Sequence, residues 1–188
     1  MMIRLLTRIA LIVLLATMGR TTLADALVAD LSEHLVKIDL GFTGKQVLLY
    51  GAIEGEGNVV VVVQGPRKPI TMRRKARVAG VWANDASVTF NDAISFYQVM
   101  ASAELDEWLP FALRERHQIG VEYLDFSPRE EIGPAEKADF QTALIRSKQN
   151  LGHYGMLEGR VSVLGGRLFR TEVFFPANVP TGIYNLEA

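Results

Sequence analysis

The chain has 188 residues, of which 49% are apolar, and this is enough for a globular domain with a hydrophobic core. Its formal net charge is −1, so the charge of the whole chain predicts no attraction to nucleic acid. It contains no cysteine, which excludes a disulfide framework, a thiolate metal site, a cysteine nucleophile and a lipoprotein anchor cysteine.

The N-terminal segment has the pattern of a secretory signal peptide. Two arginines precede an almost wholly apolar run at residues 9–18, and small residues follow at Ala24 and Ala26. The run is shorter than the roughly 20 residues that a membrane-spanning helix needs. We therefore predict that residues 1–24 are a signal peptide cleaved after Ala24 or Ala26, with an uncleaved anchor as the alternative. Cleavage after Ala24 would leave 17 basic and 21 acidic residues.

The first half of the mature chain predicts short strands separated by glycine turns. Residues 36–40 alternate between apolar and charged, as a half-buried strand does, and residues 46–53 predict a second strand. Residues 59–63 are all valine and lie between turns, which predicts a strand buried on both faces. Further short strands are predicted at residues 70–78, 81–83, 87–90 and 96–101.

Helices are predicted between residues 103 and 153. Residues 105–116 are predicted to be helical in part, with an interruption at Pro110. A stronger helix is predicted over residues 134–150, because proline suits the first helical turn. One face of this helix is apolar, with Phe140, Leu144, Ile145 and Leu151. We expect the helices to be an insertion that lies on the β core, not a second domain.

Strands are predicted again after the helices. Residues 161–164 and 167–175 flank Gly165 and Gly166, which predict a two-residue hairpin turn. In the second strand one face is expected to consist of Phe169, Thr171, Val173 and Phe175. Many short strands with regular turns predict a mainly β fold, specifically an immunoglobulin-like antiparallel β-sandwich with a helical insertion at about 103–153.

The C-terminal residues favour the same fold. Pro180, Gly182 and Tyr184 have the spacing of the corner before the penultimate strand of immunoglobulin-like sandwiches. In that corner glycine permits the turn, and a tyrosine hydroxyl bonds back to the backbone. We therefore expect one more strand to follow Ala188 and to complete the domain predicted for residues 27–188.

Several stretches of the chain together resemble a known family. They are VADLS at 28–32, GFTG at 41–44, LLYGA at 48–52, VVVVVQGP at 59–66, RRKARVAGVW at 73–82, SFY at 95–97 and FPANVPTGIY at 175–184. The combination resembles a family of alphaproteobacterial proteins described only as transmembrane proteins. The resemblance implies a periplasmic β-rich domain that continues into more sheet and a single C-terminal transmembrane helix, often encoded beside a permease resembling sulfite exporters. We expect this chain to lack that helix, and the resemblance supplies no catalytic residue.

A run of positive charge is the best local candidate for a binding site. Six cations fall within residues 67–77, with no acid among them. On a strand, Arg73, Lys75 and Arg77 would form one exposed row, and Arg74 would lie on the opposite face. We predict that these four residues bind an anion or a phospholipid head group through charge-assisted hydrogen bonds. The alternative is a solvated strand face, or charges that protect a sheet edge.

No other pattern predicts a catalytic, metal or cofactor site. His34, His117 and His153 have no paired metal-ligand spacing, although they could converge in space with Glu115 or Asp125. No Gly-x-Ser-x-Gly motif surrounds a serine. The adjacent acid pairs point apart on any regular element and make poor acid–base partners; they are Asp106 with Glu107, and Glu130 with Glu131.

Four aromatic residues could line a groove, namely Trp82, Phe96, Tyr97 and Trp108. Aromatic residues on strands are more typically core residues or cross-strand pairs. Trp108, beside Glu107, could instead lie at a membrane or partner surface.

These patterns predict an exported, non-catalytic domain on the periplasmic side of the inner membrane, with no cofactor and no metal. It would be an accessory or binding module of an inner-membrane permease of the anion or sulfite type, a partner implied by the resemblance alone. One alternative is an envelope enzyme whose site is assembled from distant residues in a concave pocket. The other is a structural adhesion module with a flat polar surface.

Overall fold

The computed structural model describes residues 27–78, 80–156 and 159–188. The predicted signal peptide, residues 1–24, and both predicted cleavage sites lie outside these residues. The described part of the chain is mainly β, with antiparallel sheets, as predicted.

Strands precede and follow a helical segment. In chain order the strands are β1 (Val28–Leu31), β2 (Gly44–Ala52), β3 (Val60–Gln64), β4 (Arg67–Val78), β5 (Val81–Ile94), β6 (Tyr97–Ala101), β7 (Gly159–Arg160), β8 (Ser162–Leu164), β9 (Leu168–Pro176) and β10 (Asn185–Glu187). The helices are α1 (Leu105–Trp108), α2 (Phe111–His117) and α3 (Pro134–Asn150), with a 3₁₀ turn at Val121–Tyr123. Every helix of the described residues falls within the predicted segment 103–153.

Two four-stranded sheets share one hydrophobic core. The first has the strand order β1-β2-β9-β8 and the second has the order β10-β3-β6-β7, in which only the short β6–β7 contact is parallel. β9 alternates as predicted, because Phe169, Thr171, Val173 and Phe175 are buried and the residues between them are exposed. Its buried valine and aromatic residues pack with residues of the second sheet.

The second sheet is buried on both faces, as the run of valines predicts. Val61 and Val63 lie in the core between the two sheets. Val62 points the other way, into a second core that includes Phe140 and Leu144 of α3. The sheet is therefore the middle layer of the molecule, with the other sheet on one side and the helices on the other.

α3 spans Pro134–Asn150, the range predicted from the sequence, and Pro134 opens it. Phe140 and Leu144 are buried as expected. Leu151 is not buried: the helix ends at Asn150, and Leu151 is its C-cap and is 49% exposed. The predicted interruption at Pro110 is confirmed, since Pro110 caps α2.

Three local predictions are wrong. Residues 36–40 are not a strand: Val36 packs partly against the core, but Leu40 is fully exposed and no strand pairs with the segment. The β8–β9 turn has three residues, because Leu164 pairs with Leu168 and not with Arg167. Residues 70–78 are part of β4, as predicted, but the two short strands predicted at 81–83 and 87–90 are parts of one long strand, β5.

Candidate functional site

The β4–β5 hairpin, here called the arm, forms a sheet of its own with two strands. Its base is part of the core, where Val88, Phe90, Ala93 and Ile94 are buried. Its outer half, residues 73–86, carries the predicted cation row. The arm is long because β4 and β5 pair from Arg67 with Ile94 out to Val78 with Val81.

One face of the outer half, here called the basic face, carries three of the four predicted site residues. Arg73 lies opposite Ser87, Lys75 opposite Asn84 and Arg77 opposite Trp82. Residues that are directly opposite each other in a ladder project to the same side of the sheet. Arg73, Lys75 and Arg77 are all exposed. The basic face is thus three cations whose cross-strand neighbours are uncharged.

A β-bulge keeps the nearest carboxylate away from this face. Arg74 pairs with Ala86 and Lys75 pairs with Asn84, so Asp85 has no partner in the ladder. A bulge re-aims the side chain of its extra residue. The Asp85 carboxylate accepts hydrogen bonds from Nε and Nη2 of Arg74, at 3.3 and 3.1 Å. Asp85 therefore neutralises Arg74 and not Lys75.

Arg74 lies on the opposite face, as predicted, and contacts α3. Its guanidinium lies 5.6 Å from the ring centroid of Phe140, and Nη2 lies 4.0 Å from a carboxylate oxygen of Glu136. A hollow of about 250 Å³ lies between this part of the arm and α3, and its lining includes Arg73, Arg74 and Lys75 of the arm and Asp139 of α3. The guanidinium of Arg74 is thus engaged by groups of the protein itself, and Arg74 does not lie with the other three cations.

The three cations of the basic face have no such partner. Among the described residues, no carboxylate oxygen lies within 4.0 Å of Arg73, Lys75 or Arg77. Nε of Arg77 donates a hydrogen bond to the carbonyl oxygen of Gly80, at 3.2 Å, which leaves its terminal nitrogens available. Their charge is available to an external anion.

The remaining two cations of the run hold the base of the arm. Arg67 donates to the carbonyl oxygen of Asp92 at 3.4 Å, and Nζ of Lys68 donates to the carbonyl oxygen of Thr181 at 3.2 Å. The second contact joins the arm to the corner before β10.

The tip of the arm carries two exposed apolar residues that the sequence reading did not select as a pair. Val81 and Trp82 are each 68% exposed. The sequence pattern that indicates an exposed tip is the apolar pair directly after a turn glycine, Gly80, whose φ is +88°. It was missed because β5 was predicted as separate short strands, in which Trp82 is an ordinary core position.

The other aromatic residues do not join Trp82 in a groove. Phe96 is fully buried in the core between the sheets and Tyr97 is buried in the second core. Trp108 is partly buried, and its indole Nε1 donates to the carbonyl oxygen of Ala103 at 3.3 Å. The four aromatic residues therefore do not line a common groove, and the core interpretation, which the sequence favoured, is confirmed for Phe96 and Tyr97.

The three histidines have different surroundings. His34 is exposed and lies 3.3 Å from Asp30, and His117 is exposed. His153 is buried, which lowers its pKa, and its Nε2 lies 3.0 Å from the carbonyl oxygen of Asn178. Within the described ranges, histidines and acids form no cluster that could hold a metal ion.

One acid of each adjacent pair and the core tyrosine have structural partners. Asp106 forms an ion pair with Arg114 at 2.6 Å, and Glu130 accepts a hydrogen bond from the backbone N–H of Thr89 at 2.7 Å. A cavity of about 550 Å³ reaches Tyr97, whose pKa burial raises to about 12. The Tyr97 hydroxyl donates to the carbonyl oxygen of Gln118 and accepts from the N–H of Gly120, so both of its roles are used.

In the residues that the structure covers, no helix combines the length and the apolar composition needed to cross a membrane.

Comparison with protein families identifies one match. Residues 26–188 match the model of a family whose description reads "Putative transmembrane protein (Alph_Pro_TM)". No curated protein and no solved structure was found to match the chain. The family match covers almost all of the sequence after the predicted signal peptide and includes the whole arm. The chain therefore belongs to the Alph_Pro_TM family.

Proposed function

We propose that the protein is an exported, non-catalytic binding module on the periplasmic side of the inner membrane. In this proposal its fold is an immunoglobulin-like β-sandwich with the helices inserted between β6 and β7. The hydrogen bond from the Tyr184 hydroxyl to the carbonyl oxygen of Pro180 supports that fold, because tyrosine corners of this kind occur in immunoglobulin-like domains.

The proposed binding role is based on the basic face. Arg73 and Arg77 are four residues apart on one strand, so the row of three cations is roughly 13 Å long. Arginine and lysine donate strong hydrogen bonds to phosphate and other oxyanions. Because this face offers positive charge and hydrogen-bond donors on an open surface, it is suited to binding an anionic group rather than to transforming one.

The proposed partner is an inner-membrane permease of the anion or sulfite type. This partner follows from the resemblance alone. The chemistry of the basic face is compatible with it, because both an oxyanion substrate and the phospholipids around a permease carry negative charge.

Charge reversal on the basic face tests the binding role. R73E/K75E changes two exposed cations of this face, and K37E/R170E makes the same charge change at two exposed cations elsewhere. Titration with inorganic phosphate and with sulfite at low ionic strength should give binding at least ten-fold weaker for R73E/K75E and unchanged for K37E/R170E. Equal binding by all three proteins would contradict the proposal.

Site-specific cross-linking tests the partner. A photoreactive residue in place of Asn84, on the basic face, should form an adduct with the permease in intact cells of the native host, identified by mass spectrometry. The same residue in place of Asn150, exposed at the end of α3, is the control. Adducts of equal yield from both positions, or a permease adduct from neither, would count against the permease.

A further inference from the structure

The outer half of the arm has an apolar tip on a charged surface. Trp82 lies directly opposite Arg77, so its indole belongs to the basic face together with Arg73 and Lys75. Val81, next to it, is equally exposed at 68%. One short segment therefore presents a row of cations and, at the end of that row, a large aromatic residue.

The fold itself gains little from these apolar side chains. The arm has two strands, and its residues from Val81 to Asp85 are all exposed, whereas the first buried residue of β5 is Val88. At the usual rise per residue, the tip lies roughly 20 Å beyond that point. A two-stranded ribbon is only marginally stable in water, so an exposed tryptophan at its tip indicates a contact outside the protein.

The combination matches one surface better than others. Tryptophan favours the interface of a bilayer, where its ring meets apolar chains and its N–H meets polar groups. Lysine and arginine are attracted to anionic phospholipids. A small soluble anion would engage the cations but not the exposed apolar side chains of Val81 and Trp82.

We propose that the outer half of the arm docks onto an anionic phospholipid bilayer. Val81 and Trp82 enter the head-group region, while Arg73, Lys75 and Arg77 contact lipid phosphates. This inference rests on the basic face of the proposed function and names phospholipid as its ligand. Asp85 has a part in it as well, because its bond to Arg74 keeps the carboxylate off the face that meets the membrane.

The expected effects follow from the charges. Each cation near an anionic surface strengthens partition by about five-fold at moderate salt. Reversing Arg73 and Lys75 replaces two attractions with two repulsions, so R73E/K75E should bind anionic vesicles at least twenty-fold more weakly. Raising the salt concentration should weaken wild-type binding, because screening shortens the reach of the charges.

Single-tryptophan variants of the full chain provide a local test. The chain has two tryptophans, so W108F leaves Trp82 as the only reporter and W82F leaves Trp108. Vesicles of equal parts phosphatidylglycerol and phosphatidylcholine are compared with vesicles of phosphatidylcholine alone. Emission wavelength, quenching by aqueous iodide and quenching by nitroxide-labelled lipids are measured. Because the emission of Trp82 reports on the arm alone, binding through another part of the chain does not mimic the result.

With anionic vesicles only, the emission of Trp82 in W108F should shift to shorter wavelength, and iodide should quench it less. Nitroxide-labelled lipids should quench the emission of Trp82, whereas the emission of Trp108 in W82F should stay unchanged. Adding R73E/K75E to W108F should abolish the shift, and adding K37E/R170E should not. Trp82 that stays accessible to iodide at saturating anionic lipid overturns the proposal, and so does a shift that survives R73E/K75E.

Two further results separate this inference from the proposed function. If R73E/K75E weakens phosphate binding but Trp82 never meets lipid, the basic face binds a soluble anion; the proposed function stands and the membrane inference falls. If Trp82 becomes shielded as the protein concentration rises without vesicles, the tip contacts a second copy, and the membrane inference falls again.

Discussion

The hydroxyl of Tyr184 donates a hydrogen bond to the carbonyl oxygen of Pro180, at 2.5 Å. The ring of the same tyrosine packs against Phe175 of β9 and against Phe96, the residue directly before β6, with ring centroids 5.2 and 5.6 Å away. β10 begins at the next residue. This contact therefore fixes the direction in which the chain enters the second sheet.

Removing the hydroxyl should weaken the corner. Tyr184→Phe keeps the aromatic packing but leaves the carbonyl of Pro180 without its donor, and the loss of such a partly buried hydrogen bond typically costs about 0.5–1.5 kcal/mol. Urea unfolding at neutral pH measures the loss. Tyr50→Phe is the matched control, because Tyr50 is 44% exposed on β2 and should change stability by less than about 0.5 kcal/mol. Equal stability of the two variants would show that the bond contributes nothing.

Gly182 should be essential to the same corner. Its φ is +152°, which side-chain-bearing residues rarely adopt, and a Cβ there would lie 2.5 Å from Cγ of Pro66. Gly182→Ala is therefore expected to destabilise the protein by about 1–3 kcal/mol in thermal or urea unfolding. Gly57→Ala is the control, since a Cβ at Gly57 meets nothing within 4 Å. A neutral Gly182→Ala would mean that the corner relaxes without cost.

The parts of the fold that the sequence predicts are those decided by local pattern. The run of valines indicates burial on both faces, and the bounds of α3 follow from Pro134 and the apolar spacing after it. Residues 36–40 show where a local pattern is not sufficient. Alternation predicts that some side chains are buried, but a strand also needs a neighbour for its backbone, and the sequence does not say whether one is present.

The site was predictable only in part for a similar reason. Alternation along β4 places Arg73, Lys75 and Arg77 in one row and Arg74 opposite them. The pairing of Arg74 with Asp85 depends on a bulge in the facing strand, which is a property of the register between two strands. The exposure of Trp82 depends on the pairing of β4 with β5 continuing beyond the buried base of the arm. The first feature has no local signature in the sequence, and the local sign of the second is the apolar pair directly after Gly80.

Truncation of valines on β3 tests the three-layer arrangement. Val62 and Val63 are adjacent but belong to different cores, with exposures of 6% and 0%. Val62→Ala and Val63→Ala should each cost about 1–3 kcal/mol in urea unfolding, from lost burial and the cavity that remains. Val28→Ala, at a residue that is 69% exposed, should cost less than about 0.5 kcal/mol. If Val62→Ala matches this control, the helices do not form a true core with the sheet.

Glu130 should make stability depend on pH in the acid range. Its carboxylate accepts a hydrogen bond from the backbone N–H of Thr89 on β5, at 2.7 Å, and this bond lowers the pKa of Glu130 below its ordinary value of 4.5. A carboxyl whose pKa is lower in the folded than in the unfolded protein stabilises the fold above the unfolded value, and the contribution disappears as the pH falls through the folded value. Glu130→Gln retains an acceptor oxygen but removes the charge.

The melting temperature of Glu130→Gln should therefore be below that of the wild type at pH 7, and the gap should close as the pH is lowered below 4.5. Glu131→Gln is the control, since Glu131 is the adjacent exposed carboxylate and should follow the wild-type curve. The Glu130 variant also tests how the arm is held, because Thr89 lies at the base of the arm. The hydrogen bond from Thr89 to Glu130 joins the arm to the segment before α3. A gap that stays constant down to pH 3 would show that the bond acts without its charge, and Glu130 would then hold the base of the arm by geometry alone.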